Sequence, residues 1–390
     1  MSGDDEAFRE DEISKITPVM TWAFAFPVAD CEPWLRRAGL ENVHVRRRGD
    51  AIDAALITIP MGQFFGGMSV PTVGFAGVAT APEARGTGAA VALMTRVLRE
   101  QRAKGVALST LYPATIGLYR KLGYELAGAR FTAKVPLAAL TLRDRGLPLR
   151  EMTPADVSAV EACYRAKASH VNGFVDRGPY VWHRVREPRG AASPRGFVVG
   201  EAGDVEGYAI LHERRDPNLS FVLHASDFVA RTPRAYRRLL TFAADHGTIG
   251  THFEWAAAPT DPSLHLLPHV SREVSLKDTW MLRVLDVARA LTSRGWAPHV
   301  HLDLDLDVLD DVFPENAGRW TVRIAEGRAE VARGGSGSTR IDVRALAALY
   351  SSWLDPVTLV ATGGLAANDA DAAKLAAAFA GPSPWMPDAF

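Results

Sequence analysis

A glycine-rich loop is the part of this sequence best suited to chemistry. It comprises Arg85-Gly86-Thr87-Gly88-Ala89-Ala90. Gly86 and Gly88 permit tight turns and a close approach of the backbone to a ligand, and the small Ala89 and Ala90 leave the start of the following helix uncovered. Free N–H groups at a helix N-terminus suit a pyrophosphate. The loop therefore predicts a phosphate-binding turn, although so short a pattern also fits an ordinary strand-to-helix turn.

The flanking segments are predicted to hold this loop between a strand and a helix. Val73–Ala79 is apolar and compatible with a β-strand, and Pro82 ends it because proline cannot donate to a strand ladder. Val91–Arg102 has apolar residues at helical spacing, and Gly105 ends that helix. Val106–Tyr112 is predicted as the next strand. The loop lacks the lysine of a P-loop and the GxGxxG pattern, which disfavours a nucleotide triphosphatase or a dinucleotide site.

These segments, taken with Leu118-Tyr119-Arg120-Lys121-Leu122-Gly123-Tyr124, resemble the acyl-CoA-binding core of the GNAT N-acetyltransferases. Arg85, Gly88 and Ala90 match the superfamily pattern (Arg/Gln)-x-x-Gly-x-(Gly/Ala). The resemblance implies that the preceding strand splays from its neighbour and that its backbone pairs with the pantetheine arm of acetyl-CoA, the co-substrate. The residues expected to bind acetyl-CoA are Val78, Ala79, Thr80, Arg85, Gly86, Thr87, Gly88, Ala89, Ala90, Val91, Ala114 and Thr115.

Motifs outside this core resemble the Eis (enhanced intracellular survival) acetyltransferase family. They are Ala25-Phe26-Pro27, Phe64-Phe65-Gly66-Gly67, Val70-Pro71, Pro314-Glu315-Asn316-Ala317-Gly318-Arg319-Trp320, and an ending with Pro384-Trp385 and Phe390. The fold expected from pattern and resemblance together is mixed α/β (α+β), with tandem GNAT-like domains followed by a sterol-carrier-like α/β domain. The predicted domains are residues 1–147, which carry the acetyl-CoA site, 148–289, a degenerate second GNAT-like domain, and 290–390.

The resemblance also implies catalytic roles for two residues. Tyr119 matches the family's proton donor, whose hydroxyl protonates the departing CoA sulfur, although a tyrosine there could instead pack under the CoA arm. The family's proton acceptor is the C-terminal carboxylate, which here belongs to Phe390. The alternative is that the C-terminal residues form a disordered tail without a catalytic role. The backbone N–H of Val78 is a plausible oxyanion donor. The family often has a basic residue where Gly86 stands and Ser-Glu where Ala114-Thr115 stands, and these departures bear mainly on acceptor choice.

The predicted function is acetyl-CoA-dependent N-acetylation of multi-amine acceptors such as aminoglycosides. The alternatives are a protein or peptide lysine acetyltransferase and, more weakly, a non-enzymatic lipid-binding protein. The predicted partners are a small-molecule amine and further copies of the chain in a homohexamer, a dimer of trimers, which is carried over from the family.

The rest of the chain predicts further mixed α/β structure. Thr153 is expected to cap a helix over Ala155–Ala168. His299–Val308 alternates polar and apolar residues and predicts a half-buried strand. Gly334–Ser338 is expected to form a flexible hairpin rather than a phosphate loop.

No metal site is predicted. His299, His301, Asp303, Asp305 and Asp307 share one face of the predicted strand and invite a metal interpretation. We favour a solvated strand face, because a period of two places every polar residue on the same side. The eleven histidines lack an HExxH pattern, and only two cysteines occur.

Composition excludes several broad classes of function. The 390 residues include 44 Lys and Arg against 45 Asp and Glu, so no global charge attracts nucleic acid or a membrane surface. With 47% apolar and 23% charged residues, the chain is typical of globular proteins. The acidic first 15 residues lack the apolar core of a signal peptide, and no apolar run reaches the roughly 18 residues of a membrane helix. We expect a cytoplasmic protein.

Overall fold

The computed structural model describes residues 7–191, 193–201, 203–215, 220–267 and 272–390. The helices, numbered in chain order, are α1 (Ile13–Phe24), α2 (Cys31–Ala38), α3 (Ala89–Ala103), α4 (Ile116–Arg120), α5 (Val157–Ala168), α6 (Pro179–Arg186), α7 (Pro233–Ala244), α8 (Pro262–His265), α9 (Val287–Ser293), α10 (Val343–Tyr350), α11 (Pro356–Ala361) and α12 (Asp369–Ala378). The strands are β1 (Val43–Arg48), β2 (Ala51–Phe65), β3 (Met68–Thr80), β4 (Leu108–Leu111), β5 (Glu125–Pro136), β6 (Leu149–Glu151), β7 (Val175–Asp176), β8 (Arg195–Val199), β9 (Gly207–Arg215), β10 (Phe221–Ala230), β11 (Gly250–Ala256), β12 (Glu273–Val284), β13 (Leu302–Leu309), β14 (Gly318–Ala325), β15 (Arg328–Arg333), β16 (Thr339–Asp342) and β17 (Leu365–Ala366).

The chain divides into two compact units that are each built from separate stretches of sequence. Unit 1 comprises residues 1–127, 280–381 and Phe390, and unit 2 comprises residues 128–279 and 382–389. The chain passes from one unit to the other within β5 and within β12. The domain boundaries expected at residues 147 and 289 stay a prediction.

A mixed sheet in unit 1 carries the glycine-rich loop. Strands β1, β2 and β3 are antiparallel, β4 lies parallel to β3, and the end of β12 lies antiparallel to β4. Helix α3 packs on this sheet through residues three and four apart, including Leu93, Val97 and Leu98, so apolar spacing alone accounts for the face that it buries. The predicted strand Val73–Ala79 and helix Val91–Arg102 are confirmed, while β4 is shorter than the strand expected over Val106–Tyr112.

The second sheet of unit 1 has the strand order β15-β14-β13-β16-β17. The alternation expected in His299–Val308 is confirmed from Leu302 onward, where Leu304, Leu306 and Val308 are buried. The predicted start of this strand was wrong. A turn precedes it, because the Val300 N–H bonds to the carbonyl oxygen of Ala297.

Two carboxylates on the polar face of β13, those of Asp303 and Asp305, contact neighbouring residues. Arg323 on β14 lies 3.1 Å from the Asp303 carboxylate, and both side chains are exposed. The Ser336 hydroxyl donates to Asp305 at 2.7 Å. Across the described ranges, no three His, Cys, Asp or Glu side chains are grouped so that they could hold a metal ion.

The prediction of a flexible hairpin at Gly334–Ser338 was wrong. This loop joins β15 to β16, which are separated in the sheet by β14 and β13. Because β16 lies parallel to β13, the chain must cross the sheet before it can pair again. The bond from Ser336 to Asp305 fixes the loop during that crossing.

The strands of unit 2 pair in the order β5-β11-β10-β9-β8-β6, with both parallel and antiparallel neighbours. The apolar core of this unit includes Leu239 and Leu240 of α7, which pack with Phe253 and Trp255 of β11. The helix expected over Ala155–Ala168 starts slightly later, at Val157, because a 3₁₀ turn comes first. Thr153 caps that turn as expected, in a reciprocal capping box with Asp156.

In the part of the chain that the structure describes, none of the helices has both the length and the apolar character to cross a lipid bilayer.

Candidate functional site

A β-bulge interrupts β3 at the place where acetyl-CoA backbone contacts are expected. Ile57 of β2 lies opposite Ala76 and Ala55 lies opposite Ala79, so Gly77 and Val78 together face a single residue. Gly77 adopts a φ of +59°, which favours glycine. A Cβ atom there would also lie 2.8 Å from the Trp34 ring. The bulge changes the direction in which the Val78 backbone groups point.

The parallel pairing of β3 with β4 ends before this bulge. The paired residues are Thr72–Gly74 on β3 and Leu108–Thr110 on β4. Val78–Thr80 therefore extends beyond the paired segment and remains partly exposed at Val78 and Thr80. Such a fork between parallel strands is suited to an extended ligand that adds itself to β3 through main-chain hydrogen bonds.

The glycine-rich loop has the backbone conformation that a phosphate site requires. Gly86 and Gly88 have φ values of +78° and +82°, and a Cβ built on either residue would meet no atom within 4 Å. The side chains of Arg85 and Thr87 are exposed, and the Thr87 hydroxyl donates to the carbonyl oxygen of Ala84 at 2.7 Å. Gly88 caps α3 in the left-handed region, and Ala89 and Ala90 follow as the first helical residues. The space in front of the helix is open.

Within the described residues, no side chain caps α3, and its first turn contains no acidic residue. Among the described helices, α1, α2, α4, α5 and α6 also lack a side-chain cap, whereas six helices are capped by a side chain that accepts a hydrogen bond at the N-terminus: Thr232, Asp261, Asp286, Asp342, Asp355 and Asn368. The start of α3 combines this lack of a side-chain cap with the open space at Gly86 and Gly88, so its N–H groups, up to Val91, suit an anionic ligand.

We expect Gly88→Asn to weaken acetyl-CoA binding by at least tenfold in calorimetric titration. Asparagine tolerates a positive φ, so the variant keeps the turn while its side chain fills the open space in front of α3. The matched control is Gly363→Asn in the same unit, since Gly363 has a φ of +77° and equally open surroundings. Unchanged affinity in a folded Gly88→Asn variant would overturn the assignment of this loop to acetyl-CoA.

Tyr119 lies on α4, the short helix that follows β4. Its side chain is 5% exposed, and burial raises the pKa of its hydroxyl above the ordinary value. Its ring centroid lies 6.1 Å from that of Tyr124 in an edge-on arrangement, and the Tyr124 hydroxyl lies 2.6 Å from Ser109 Oγ. A hydroxyl that stays protonated can act as a proton donor. Ala114 and Thr115 precede α4 and are exposed.

A buried arginine that the sequence did not single out supports the turn after α4. Arg283 of β12 is fully buried, and a Cβ on Gly123 would lie 2.7 Å from its Cζ atom. Its Nη2 atom donates to both carboxylate oxygens of Asp310 at 2.8 and 2.7 Å. The Asn316 amide in turn donates to Asp310 at 3.0 Å and accepts from the Val287 N–H at 3.1 Å. The Pro314–Trp320 motif contributes Asn316 to this network, so it was the part of the sequence that could have indicated it.

Phe390, the last residue of the sequence, packs against β3. A Cβ on Gly74 would lie 2.8 Å from the Phe390 ring, and the Tyr112 ring centroid lies 5.6 Å from that of Phe390. Gly74 and Thr110 form the last pair of β3 with β4. The structure thus places Phe390 at the fork between these strands, in the unit that contains the loop and Tyr119.

A wide cleft of about 1240 Å³ also occurs in unit 1. Residues from α1, α2 and the segments beside them line it, including Glu10, Trp22, Val28 and Glu32. The loop, the bulge and α4 contribute nothing to its lining, so we do not assign it to the transfer site.

Family models match three stretches of the chain. An acetyltransferase (GNAT) domain matches residues 6–127, a second acetyltransferase (GNAT) domain matches residues 173–284, and a sterol carrier protein domain matches residues 287–387. This confirms the expected fold class, tandem GNAT domains followed by a sterol-carrier-like domain.

Similar proteins match nearly the whole chain. An uncharacterized N-acetyltransferase of Streptomyces avermitilis is 30% identical over 86% of this chain and 84% of its own length. N-acetyltransferase Eis of Mycobacterium tuberculosis is 27% identical over 84% of this chain and 81% of its own length. The crystal structure of a GCN5-related N-acetyltransferase from Anabaena variabilis, 33% identical, superimposes with a TM-score of 0.95 over 98% of this chain and 99% of that one. The chain therefore belongs to the Eis-like family of GNAT N-acetyltransferases and is an acyltransferase enzyme.

Proposed function

We propose that this enzyme transfers the acetyl group of acetyl-CoA to amines of multi-amine acceptors such as aminoglycosides. The uncapped start of α3, the positive-φ glycines and the end of β3, which pairs with β2 but no longer with β4, fit acetyl-CoA. In this proposal the N–H groups of Gly88–Val91 hold the pyrophosphate, Arg85 and Thr87 flank it, and Val78–Thr80 pairs with the pantetheine arm.

An aromatic wall beside the bulge carries the proposal of a cationic acceptor. Trp34 packs against Gly77, and its ring lies 6.1 Å from that of Phe24 and 5.5 Å from that of Phe26. Phe24 is 44% exposed and Phe26 is partly exposed, whereas Trp34 is buried behind them, so Phe24 and Phe26 are the rings that a ligand can reach. Aromatic faces attract ammonium groups through their quadrupoles. In our proposal, one ammonium group of a polyamine binds this wall and another binds the carboxylate of Phe390.

The proposed reaction joins the acceptor nitrogen to the acetyl carbon and breaks the carbon–sulfur bond of the thioester. The Phe390 carboxylate orients the amine and accepts its proton, and the Val78 N–H stabilises the negative charge that develops on the carbonyl oxygen. The Tyr119 hydroxyl gives its proton to the departing sulfur, and solvent restores both groups afterwards. Burial of Tyr119 keeps its proton available at neutral pH.

Release of free CoA across an acceptor panel tests the proposal. Aminoglycosides are expected to be turned over with a kcat/KM at least tenfold above that of lysine-containing peptides. The reverse order would favour the protein lysine acetyltransferase, which uses the same chemistry. The non-enzymatic lipid carrier is not retained, since the chain belongs to an acyltransferase family. If no amine in the panel causes release of CoA from a folded enzyme that binds acetyl-CoA, the proposed acceptor class is contradicted.

We also propose that the enzyme assembles into a homohexamer, as a dimer of trimers, in the cytoplasm. The family resemblance and the exposure of Trp22 and Val28, each 68%, support self-association. Both cysteines, Cys31 and Cys163, are buried and free, which fits a reducing compartment. Multi-angle light scattering at micromolar concentration is expected to give six times the chain mass. A stable monomer would contradict the assembly.

A further inference from the structure

The segment that precedes Phe390 is held in place by unit 2. The Ala129 N–H bonds to the Pro384 carbonyl at 3.3 Å, and the Met386 N–H bonds to the Ala129 carbonyl at 3.1 Å. Trp385 is 5% exposed, and its ring packs edge-on against Phe174 at a centroid distance of 4.7 Å. Backbone hydrogen bonds and side-chain packing therefore hold residues 384–386 of this segment, which we call the tail, against unit 2.

Asp388, two residues before the end of the sequence, enters a buried charge cluster. Its side chain is 1% exposed, and Arg177, which is fully buried, donates from Nε to Asp388 Oδ1 at 2.9 Å. The Tyr164 hydroxyl lies 3.2 Å from Asp388 Oδ2, and the Arg177 guanidinium stacks 3.6 Å from the centroid of the Tyr164 ring. Asp388 is thus fixed by a charge and by a hydroxyl group.

A second carboxylate already neutralises this arginine. Asp227 accepts two hydrogen bonds from Arg177, at 2.5 and 3.1 Å, and the Tyr208 hydroxyl lies 2.6 Å from Asp227. In the described part of the chain, Arg177 therefore contacts two carboxylates, those of Asp227 and Asp388. Removal of an ion from water costs several kcal/mol, and burial raises the pKa of Asp388. Since Asp227 already accepts two hydrogen bonds from Arg177, the pairing of Arg177 does not by itself account for the burial of Asp388.

We propose that Asp388 is a positioning residue for the terminal carboxylate, a role that rests on the proposed function of Phe390. The chain can span at most about 7 Å over the two residues from Asp388 to Phe390. Anchoring Asp388 to Arg177 therefore restricts where the carboxylate of Phe390 can go. A misplacement of about 1 Å can cost roughly a hundredfold in rate, so the anchor acts on the reaction without touching the substrate.

The substitution Asp388→Asn tests this role while leaving the Arg177–Asp227 pair intact. We expect kcat to fall at least tenfold, with the acetyl-CoA dissociation constant and the unfolding midpoint close to those of the wild type. The matched control is Asp245→Asn, since Asp245 also accepts two hydrogen bonds from an arginine of unit 2, Arg145, but lies far from the tail in sequence. This control should retain the wild-type kcat.

A second variant loosens the tail without changing the cluster. Insertion of two glycines between Asp388 and Ala389 keeps every contact of Asp388 but releases the terminal carboxylate from its anchor. We expect a loss of kcat at least as large as that of Asp388→Asn. If either variant retains the full kcat, the positioning role is overturned.

A double-variant cycle separates positioning from a general structural effect. If Asp388 acts only through the Phe390 carboxylate, then Asp388→Asn should cause no further loss of kcat in a protein from which Phe390 has been deleted. If Asp388→Asn lowers kcat by the same factor with and without Phe390, Asp388 does not act through the Phe390 carboxylate. The positioning role is then overturned, while the proposed base stays unaffected. If deletion of Phe390 leaves kcat unchanged, Phe390 is not the base, and the role of Asp388 is overturned with it. Failure of the proposed base is therefore distinguishable from failure of the positioning role.

Discussion

A C-terminal tag is expected to lower kcat about a hundredfold while leaving acetyl-CoA affinity unchanged. The tag converts the Phe390 carboxylate into an amide, which cannot accept a proton or hold a cationic amine. An unperturbed α-carboxyl has a pKa of about 3.3–3.7, so it is charged at neutral pH. Val78–Thr80 and the loop before α3 are untouched by the tag. Steady-state rates of tagged and untagged enzyme on one aminoglycoside measure the effect.

Two variants show which part of Phe390 matters. An N-terminal tag should be harmless by comparison, since it leaves the carboxylate in place. Phe390→Leu retains the carboxylate and loses only the ring contacts with Gly74 and Tyr112, so its loss of kcat should be much smaller than that of the tag. Full activity of the C-terminally tagged enzyme would return Phe390 to the status of an ordinary tail residue.

Tyr119→Phe is expected to lower kcat about a hundredfold, in line with the usual contribution of a positioned general acid. The variant keeps the ring packed against Tyr124 and removes only the hydroxyl group that we propose as the proton donor. Acetyl-CoA affinity measured by calorimetry should be nearly unchanged. Because burial raises the pKa of Tyr119, its hydroxyl stays protonated across the neutral and mildly alkaline range. The ratio of wild-type to variant kcat should therefore stay constant from pH 7 to 9.

Tyr124→Phe is the matched control for this experiment. It removes a neighbouring buried hydroxyl that bonds to Ser109 at 2.6 Å, so it should reduce stability by about 1 kcal/mol with little effect on kcat. Equal kcat losses in both variants would indicate that Tyr119 acts through packing. A wild-type to variant ratio that falls toward unity below pH 9 would show that the Tyr119 hydroxyl ionises too early to serve as the proton donor.

The local structure of the proposed acetyl-CoA site could be predicted from the sequence, because it depends on residues that are close in the chain. Two glycines in Arg85–Ala90 provide the positive φ values of the turn, and the spacing of Leu93, Val97 and Leu98 fixes the buried face of α3. Both effects act between residues that are close in the chain. The position of Tyr119 on a short helix after a strand follows from the same kind of signal.

The remaining parts of the site depend on contacts between residues that are far apart in the sequence. The bulge at Gly77–Val78 exists only in register with β2, and Arg283 of β12 reaches Gly123 in the turn after α4. Asp388 meets Arg177 across 211 residues. No periodicity encodes such pairs, because each partner alone resembles an ordinary surface charge or turn glycine. Tertiary packing removes these charges from water, and burial makes an unpaired charge costly, so the need for a partner arises only in the folded protein. The sequence thus determined the loop and its helix, whereas the fold decided what holds Tyr119 and the end of the chain in place.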